Sequence, residues 1–395
     1  MALGLYISVP FCRTKCSYCN FASDVFSRAV FERYLDRVAK DIEHAAQAAE
    51  KMQARFDPVV DSIYIGGGTP TILDITQLER LFVTVSQNFD VLPGAEITAE
   101  CAPGTLAPQT VEALLRGGVN RVSLGVQSFI DEEARSVGRL HTNKIVHDEI
   151  ARLREAGLNN INLDLIAGLP HQTLETWKVS LAETIASDVP HASVYMLEVD
   201  QDSRLGRELI AGGARYHAHH VPDEELTADL YTLACQRLEA AGICQYEISN
   251  FAREGHESRH NLKYWTRQPY LGFGVDAHSM LLALDRPAVA VRFSTPDSLE
   301  QYATYTSLDQ TIVSPQAALE EAFFLGLRLT CGVNLEDLAR EFGEEAVRGF
   351  SAAIAEFTGL DLLEHAGSVI RLTPQGRLLS NEVFGEFVTV RDQVT

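Results

Sequence analysis

The hydrophobic positions of this chain alternate between two patterns. A short apolar run, Leu5-Tyr6-Ile7-Ser8-Val9, reads as a strand. Beyond a polar loop, Phe31, Leu35, Val38, Ile42, Ala45, Ala49 and Met52 recur every three or four residues and give a helix one apolar stripe. Ser27 is placed to cap its start. Ser62-Ile63-Tyr64-Ile65 is the next strand, and Leu78, Leu81, Phe82 and Val85 mark the next helix. The alternation continues with strands at 96–101, 121–126, 160–166 and 192–196. Helices marked by Val111, Leu114 and Leu115, and at 145–156 and 174–185, lie between them. Six strand-then-helix units in about 200 residues require a parallel sheet with helical crossovers.

The positions of the polar residues separate an open sheet from a barrel. Residues 12–19, 66–69, Glu100, Gln127 and the loop beginning Gly168-Leu169-Pro170 all fall at or just past strand ends, and Asp164 lies inside the fifth strand. Chemistry drawn from the ends of many strands is a barrel property; a doubly wound sheet would gather it at one switch point. The expected fold is therefore α/β, a partial (β/α)6 TIM-like barrel over residues 1–230. Residues 231–313 read as a connecting region containing His260-Asn261-Leu262-Lys263-Tyr264-Trp265. Residues 314–395 show three helical patterns, a hairpin-like segment and a further helix, which suggests a smaller α+β, winged-helix-like unit.

Composition narrows the partners. Hydrophobic residues make up 46% of the 395, with no apolar run near the ~20 residues of a membrane span. The net charge of −21 repels phosphate backbones, so no nucleic acid is expected as a partner. The winged-helix-like part is itself acidic, with 13 acidic against 6 basic residues from Gln316 onward, which favours a lid or interaction role over DNA reading. No signal-peptide pattern precedes the first strand. Seven cysteines, an odd number with three clustered, fit a reducing cytoplasm better than a disulfide framework. The run at residues 216–220 carries His217, His219 and His220, for which metal binding is the alternative; without a carboxylate or cysteine partner it reads as a solvated flexible loop.

The chemistry concentrates at Cys12, Cys16 and Cys19, spaced C-x3-C-x2-C directly after the first strand. Three thiolates on one loop can share a metal centre. They are one short of a closed zinc site and one short of the usual ligand set of a [4Fe–4S] cluster. The simplest reading is a cluster with one iron left for an exchangeable ligand. Zinc completed by a distant histidine such as His44, and ordinary buried thiols, are the alternatives.

Together with Gly66-Gly67-Gly68-Thr69-Pro70 after the second strand, this loop resembles the radical S-adenosylmethionine superfamily. The resemblance implies that Cys12, Cys16 and Cys19 hold three irons of a [4Fe–4S] cluster whose fourth iron takes S-adenosylmethionine. The likeness extends over nearly the whole chain to the coproporphyrinogen-oxidase-like branch, through Gly125-Val126-Gln127-Ser128-Phe129, Gly138-Arg139-Leu140-His141 and residues 164–170. It implies that Tyr6, Gly67, Gly68, Thr69, Glu100, Gln127, Arg139 and Asp164 contact S-adenosylmethionine. Tyr18, beside Cys19, either packs on the cofactor or fills core.

Two features divide that branch. The oxygen-independent coproporphyrinogen III oxidases have a fourth cysteine where this chain has Phe21, and a long extension before the first strand where only four residues precede Leu5. Both departures resemble the heme chaperone group, as does the H-N-x-x-Y-W match at His260. That resemblance implies a heme chaperone with heme and a heme-acceptor protein as partners, His260 as a heme contact, and no oxidase activity. A homodimer is compatible with it. Oxidative decarboxylation of coproporphyrinogen III is the alternative.

Overall fold

The computed structural model describes residues 1–285 and 289–388. Strands β1 (Leu3–Val9), β2 (Val59–Gly67), β3 (Asp90–Cys101), β4 (Arg121–Gln127), β5 (Ile161–Ala167) and β6 (His191–Met196) stand side by side in chain order, all parallel. A helical crossover separates each from the next, as short parallel neighbours require. These are the six strands of a partial (β/α)6 barrel. Tyr64 on β2 and Tyr195 on β6 lie close enough to interact electrostatically across its inside.

The strands are two-faced. Leu5, Ile7, Ile63, Ile65, Ile97, Val122, Leu124, Leu163 and Val194 point outward into one continuous apolar core shared with the helices. Burying each large side chain there is worth about 1.5–3 kcal/mol. The intervening positions face inward and are polar: Tyr6, Ser62, Tyr64, Glu96, Glu100, Ser123, Asn162, Asp164 and Ser193. A barrel lumen is ordinarily filled with branched apolar residues. Here it is built to hydrogen-bond.

The first long helical pattern is divided. One helix spans Arg28–Glu43, a second spans Ala45–Lys51, and His44 interrupts them. Ser27 is the N-cap residue, without a side-chain cap bond.

Residues 244–313, read as connection, add strands to both edges of the sheet. Beside β6, β8 (Asn250–Ala252) and β7 (Cys244–Gln245) pair antiparallel. On the other side, β9 (Tyr270–Phe273) lies parallel to β1, and β10 (His278–Leu282), β11 (Ala290–Ser294) and β12 (Gln310–Val313) extend the sheet antiparallel. Between them the helix Arg259–Trp265 closes the lumen at the N-terminal ends of the strands. The Glu96 carboxylate accepts the backbone N–H groups of Arg259 and His260, each at 3.1 Å, which satisfies two otherwise orphan donors of the helix start. Lys263 Nζ reaches Asp61 at 2.8 Å and the Ala2 carbonyl at 2.9 Å.

The C-terminal part has its own apolar core, centred on Leu319, Phe323, Leu327, Ile370 and Phe387. Helices Pro315–Gly326, Leu335–Phe342, Glu344–Arg348 and Ser351–Gly359 pack with a three-stranded sheet, in which β15 (Val369–Leu372) lies between β13 (Val333–Asn334) and β14 (Leu363–Ala366). Ion pairs tie it to the rest: Glu321 sits between Arg267 at 3.1 Å and Arg292 at 3.2 Å, and Arg328 reaches Glu247 at 3.6 Å. No helix among the described residues is long and apolar enough to cross a membrane.

Candidate functional site

The cysteine loop leaves β1 and is anchored at its base by Phe11. That ring is fully buried, stacked on Phe31 at 3.9 Å and edge-on to Tyr34. Hydrogen bonds hold the loop from several directions. Cys12 N–H donates to the Asp24 carbonyl, Ser17 N–H to Val137, Leu205 N–H to Ser17 and the Arg204 guanidinium to the Lys15 carbonyl. Cys12, Cys16 and Cys19 are all free thiols. Burial pushes the Cys12 and Cys19 thiols up, so a bound metal must draw off their protons.

The donor set fits a cluster better than a single zinc ion. Tetrahedral zinc with Zn–S bonds of about 2.3 Å holds its sulfurs roughly 3.8 Å apart. Among the described residues, the one trio of potential ligands with all donor atoms within 4.8 Å of each other consists of histidines, not these thiols. His44 stays at its helix end, with Nδ1 bonded to the Lys40 carbonyl at 2.6 Å. A cube of four irons spaces its thiolates more widely than one ion does.

The glycine run after β2 lies against this loop. Thr69 N–H donates to the Phe11 carbonyl at 2.8 Å, and Thr69 Oγ1 stands 3.9 Å from Cys12 Sγ. A Cβ on Gly68 would come within 2.6 Å of the Val9 carbonyl and 2.8 Å of that of Phe11. Gly67 has φ +93°, which side-chain-bearing residues rarely adopt. Its N–H points at Glu100 Oε2, 3.2 Å away.

Glu100 and Asp164 face the lumen from β3 and β5. Tyr64 donates to Glu100 at 2.8 Å, while Ser123 and Asn162 donate to Asp164 at 3.0 and 2.7 Å. Burial, then the Asp164 carboxylate, push Glu100 up to about 7, against the opposing bonds from Tyr64 and Gly67. Burial raises Asp164 too, opposed by its hydrogen bonds to Ser123, Asn162 and Ser193. Two carboxylates in a low-dielectric lumen are poised to receive a cation. Tyr6 lies beside them, its ring 6.3 Å from that of Tyr64, and burial pushes its hydroxyl well up.

Arg139 connects this region to the cysteines. Its guanidinium lies 3.6 Å from Cys16 Sγ and donates to the Gly125 carbonyl. A Cβ on Gly125 would meet that guanidinium at 2.9 Å and the Gln127 amide at 3.0 Å, so Gln127 lies close by. Gln127 has a left-handed backbone, φ +67°, at the end of β4. The structure thus gathers Cys12, Cys16, Cys19, Gly67, Gly68, Thr69, Glu100, Gln127, Arg139, Asp164 and Tyr6 at one end of the barrel.

His260 lies apart from them, in the helix that closes the other end. It is 1% exposed, with Nδ1 3.0 Å from Ser62 Oγ and Nε2 2.8 Å from the Tyr264 hydroxyl. Burial, then the charges of Lys263 and Arg121, bring its pKa down to about 3. Tyr64 lies between the two regions, its ring 5.5 Å from that of His260 and its hydroxyl on Glu100. Tyr64, Ser123 and Asn162 were not singled out from the sequence. The available signal was the polar residue at every second position of β2, β4 and β5.

Comparison with known proteins agrees with this geometry. Residues 6–183 match the radical SAM superfamily and residues 313–379 the HemN C-terminal domain. The heme chaperone HemW of Bacillus subtilis is 34% identical over 97% of this chain and 98% of its own length. HemW of Lactococcus lactis is 31% identical over 97% and 96%. In structure the chain resembles coproporphyrinogen III oxidase (HemN) from Escherichia coli, with a TM-score of 0.83 over 99% of this chain and 91% of that one at 23% identity. That likeness establishes a shared fold, while the identities over full length establish descent. With a cysteine-bearing loop, a glycine run and a polar lumen set in this fold, the chain belongs to the HemW heme chaperone family of radical SAM proteins.

Proposed function

We propose that this protein binds heme and passes it to an acceptor protein in the cytoplasm, on a scaffold that carries a [4Fe–4S] cluster and S-adenosylmethionine. The observation that carries the reading is the end-to-end similarity to HemW chaperones, combined with Phe21 at the position that holds the fourth cysteine in the oxidases. Phe21 is 65% exposed.

The chain's own residues have these roles. Cys12, Cys16 and Cys19 hold three irons, and the Arg139 guanidinium sets a positive charge 3.6 Å from Cys16 Sγ. A bound cluster supplies one-electron chemistry and an iron open to an exogenous ligand. Gly67 and Gly68 let the backbone approach the amino acid moiety of S-adenosylmethionine. Glu100 and Asp164 offer carboxylates to its positive charges, Thr69 and Gln127 offer polar contacts, and Tyr6 offers a ring face. No nucleic acid takes part, and a homodimer is compatible with the scheme.

His260 is the heme contact that the family motif nominates. With both ring nitrogens hydrogen-bonded, axial ligation through Nε2 requires Tyr264 to release it. Anaerobic reconstitution followed by heme titration, read by absorbance, tests the function: stoichiometric binding is expected, and its absence overturns the proposal. The same titration on His260→Ala should give weaker binding and an altered iron spectrum. Unchanged affinity and spectrum remove His260 from the heme site. An anaerobic assay that yields protoporphyrinogen would instead establish the oxidase.

A further inference from the structure

We propose that His171, His217 and His220 form a three-imidazole site for a divalent transition-metal ion at the rim of the barrel. The loop at 216–220, read from the sequence as solvated and without a carboxylate or cysteine partner, is folded onto a further histidine, His171, which takes the place of His219 in the trio. The donor atoms of the three rings all lie within 4.8 Å of one another. His171 Nε2 and His217 Nδ1 are 3.2 Å apart. Two nitrogens on a tetrahedral ion with bonds of about 2.0–2.1 Å stand roughly 3.3 Å apart, so this pair is already at ligand spacing. The His220 ring stacks on His171 with centroids 4.2 Å apart and is exposed, hence free to turn its donor inward.

The surroundings hold this arrangement in place. The backbone N–H of His171 donates to the His220 carbonyl at 2.9 Å. The Glu208 carboxylate, on the helix Arg204–Ala211, accepts the N–H groups of Arg215, Tyr216 and Ala218 and so folds the loop around itself. His171 and His217 both take left-handed backbone conformations, φ +68° and +60°. A hydrogen bond between two neutral rings would account for the 3.2 Å pair. What that bond leaves out is the third donor atom, which stands within 4.8 Å of the other two.

The donor chemistry defines the ligand. Imidazoles suit zinc, copper or nickel, and without carboxylates the trio does not suit calcium or magnesium. Three protein ligands leave a fourth position for water or an exogenous group. Heme is disfavoured, since its iron has only two axial positions and cannot take three imidazoles.

The test uses full-length protein with its cluster assembled, so that Cys12, Cys16 and Cys19 are occupied. Anaerobic equilibrium dialysis against Zn2+ with metal analysis should show one equivalent in wild type that His217→Ala and His220→Ala lose. The loss expected is at least the ~10–100-fold in affinity that even a supporting residue commands. His219→Ala, an exposed histidine outside the trio, should keep that equivalent. Visible d–d absorption of Co2+ bound in place of Zn2+ should disappear in the same two variants. Because the His220 side chain is exposed, its truncation leaves a folded protein even if His217→Ala does not fold. Equal zinc uptake by wild type and His220→Ala, or equal loss in His219→Ala, overturns the proposal.

Discussion

Glu100 titrates at about 7 in the fold, against 4.5 for the free side chain, because it is buried and faces Asp164. The folded state therefore holds its proton more tightly than the unfolded one. The stabilising contribution is complete below about pH 4.5 and is lost as pH rises through about 7, where the curve levels off. Urea midpoints followed across that window should fall with pH in wild type and fall less in Glu100→Gln. A ligand ammonium favours the ionised carboxylate, so S-adenosylmethionine should bind more tightly as pH rises towards about 7. Calorimetric titration of Glu100→Gln should show weaker binding without that slope; a slope equal to wild type would assign it to another group. The sequence made the cysteines and glycines legible because their meaning lies in local spacing. Tyr64 and Ser123 matter through strand register, which places Tyr64 on Glu100 and Ser123 on Asp164, and no local pattern encodes that register.

The helix Arg259–Trp265 depends on one carboxylate from a distant strand. Glu96 Oε1 and Oε2 take the N–H groups of His260 and Arg259, and Ser258 Oγ lies 3.4 Å from Oε1. Glu96 is buried, so Glu96→Ala should destabilise by about 2–3 kcal/mol, the scale of hydrogen bonds to a charged group. Chemical denaturation should show this loss, and faster amide exchange should appear first at residues 259–265. Glu96→Gln, which keeps acceptor capacity, should recover part of the loss. At this scale the six strand–helix units were legible, since each repeats a strong periodic signal. The edge strands were not: β7 and β8 have two and three residues, too short for a period, and β9 gains meaning only by pairing with β1. The histidine trio was hidden for the same reason, because His171 is 46 residues from His217 in the chain.

The C-terminal core is separate from the barrel's, and charged side chains join the two. Glu321 is nearly buried between Arg267 and Arg292, and Arg328 stacks 4.3 Å from the Trp265 ring centroid while it pairs with Glu247. Glu321→Ala leaves two arginines without their shared partner and should cost about 3 kcal/mol. Scanning calorimetry should then resolve a lower-temperature transition for the C-terminal part, where wild type shows coupled unfolding; an unchanged single transition would place the coupling in the apolar contacts. The winged-helix-like character of this part was legible from its hairpin. Its attachment was not, since the pairing of Glu321 with arginines 54 and 29 residues upstream follows from the fold alone. The pairing of β1 with β9 also imposes an order in time. β1 is an interior strand of the finished sheet, and its second neighbour, β9, is complete only at residue 273. At ~5–20 residues per second the nascent β1 waits roughly 10–50 s as an open sheet edge, with the cysteine loop at its end. The anchors of that loop, Asp24, Val137, Arg204 and Leu205, are all made before β9, so the thiols are fastened in place while the sheet edge beside them still stands open to other strands.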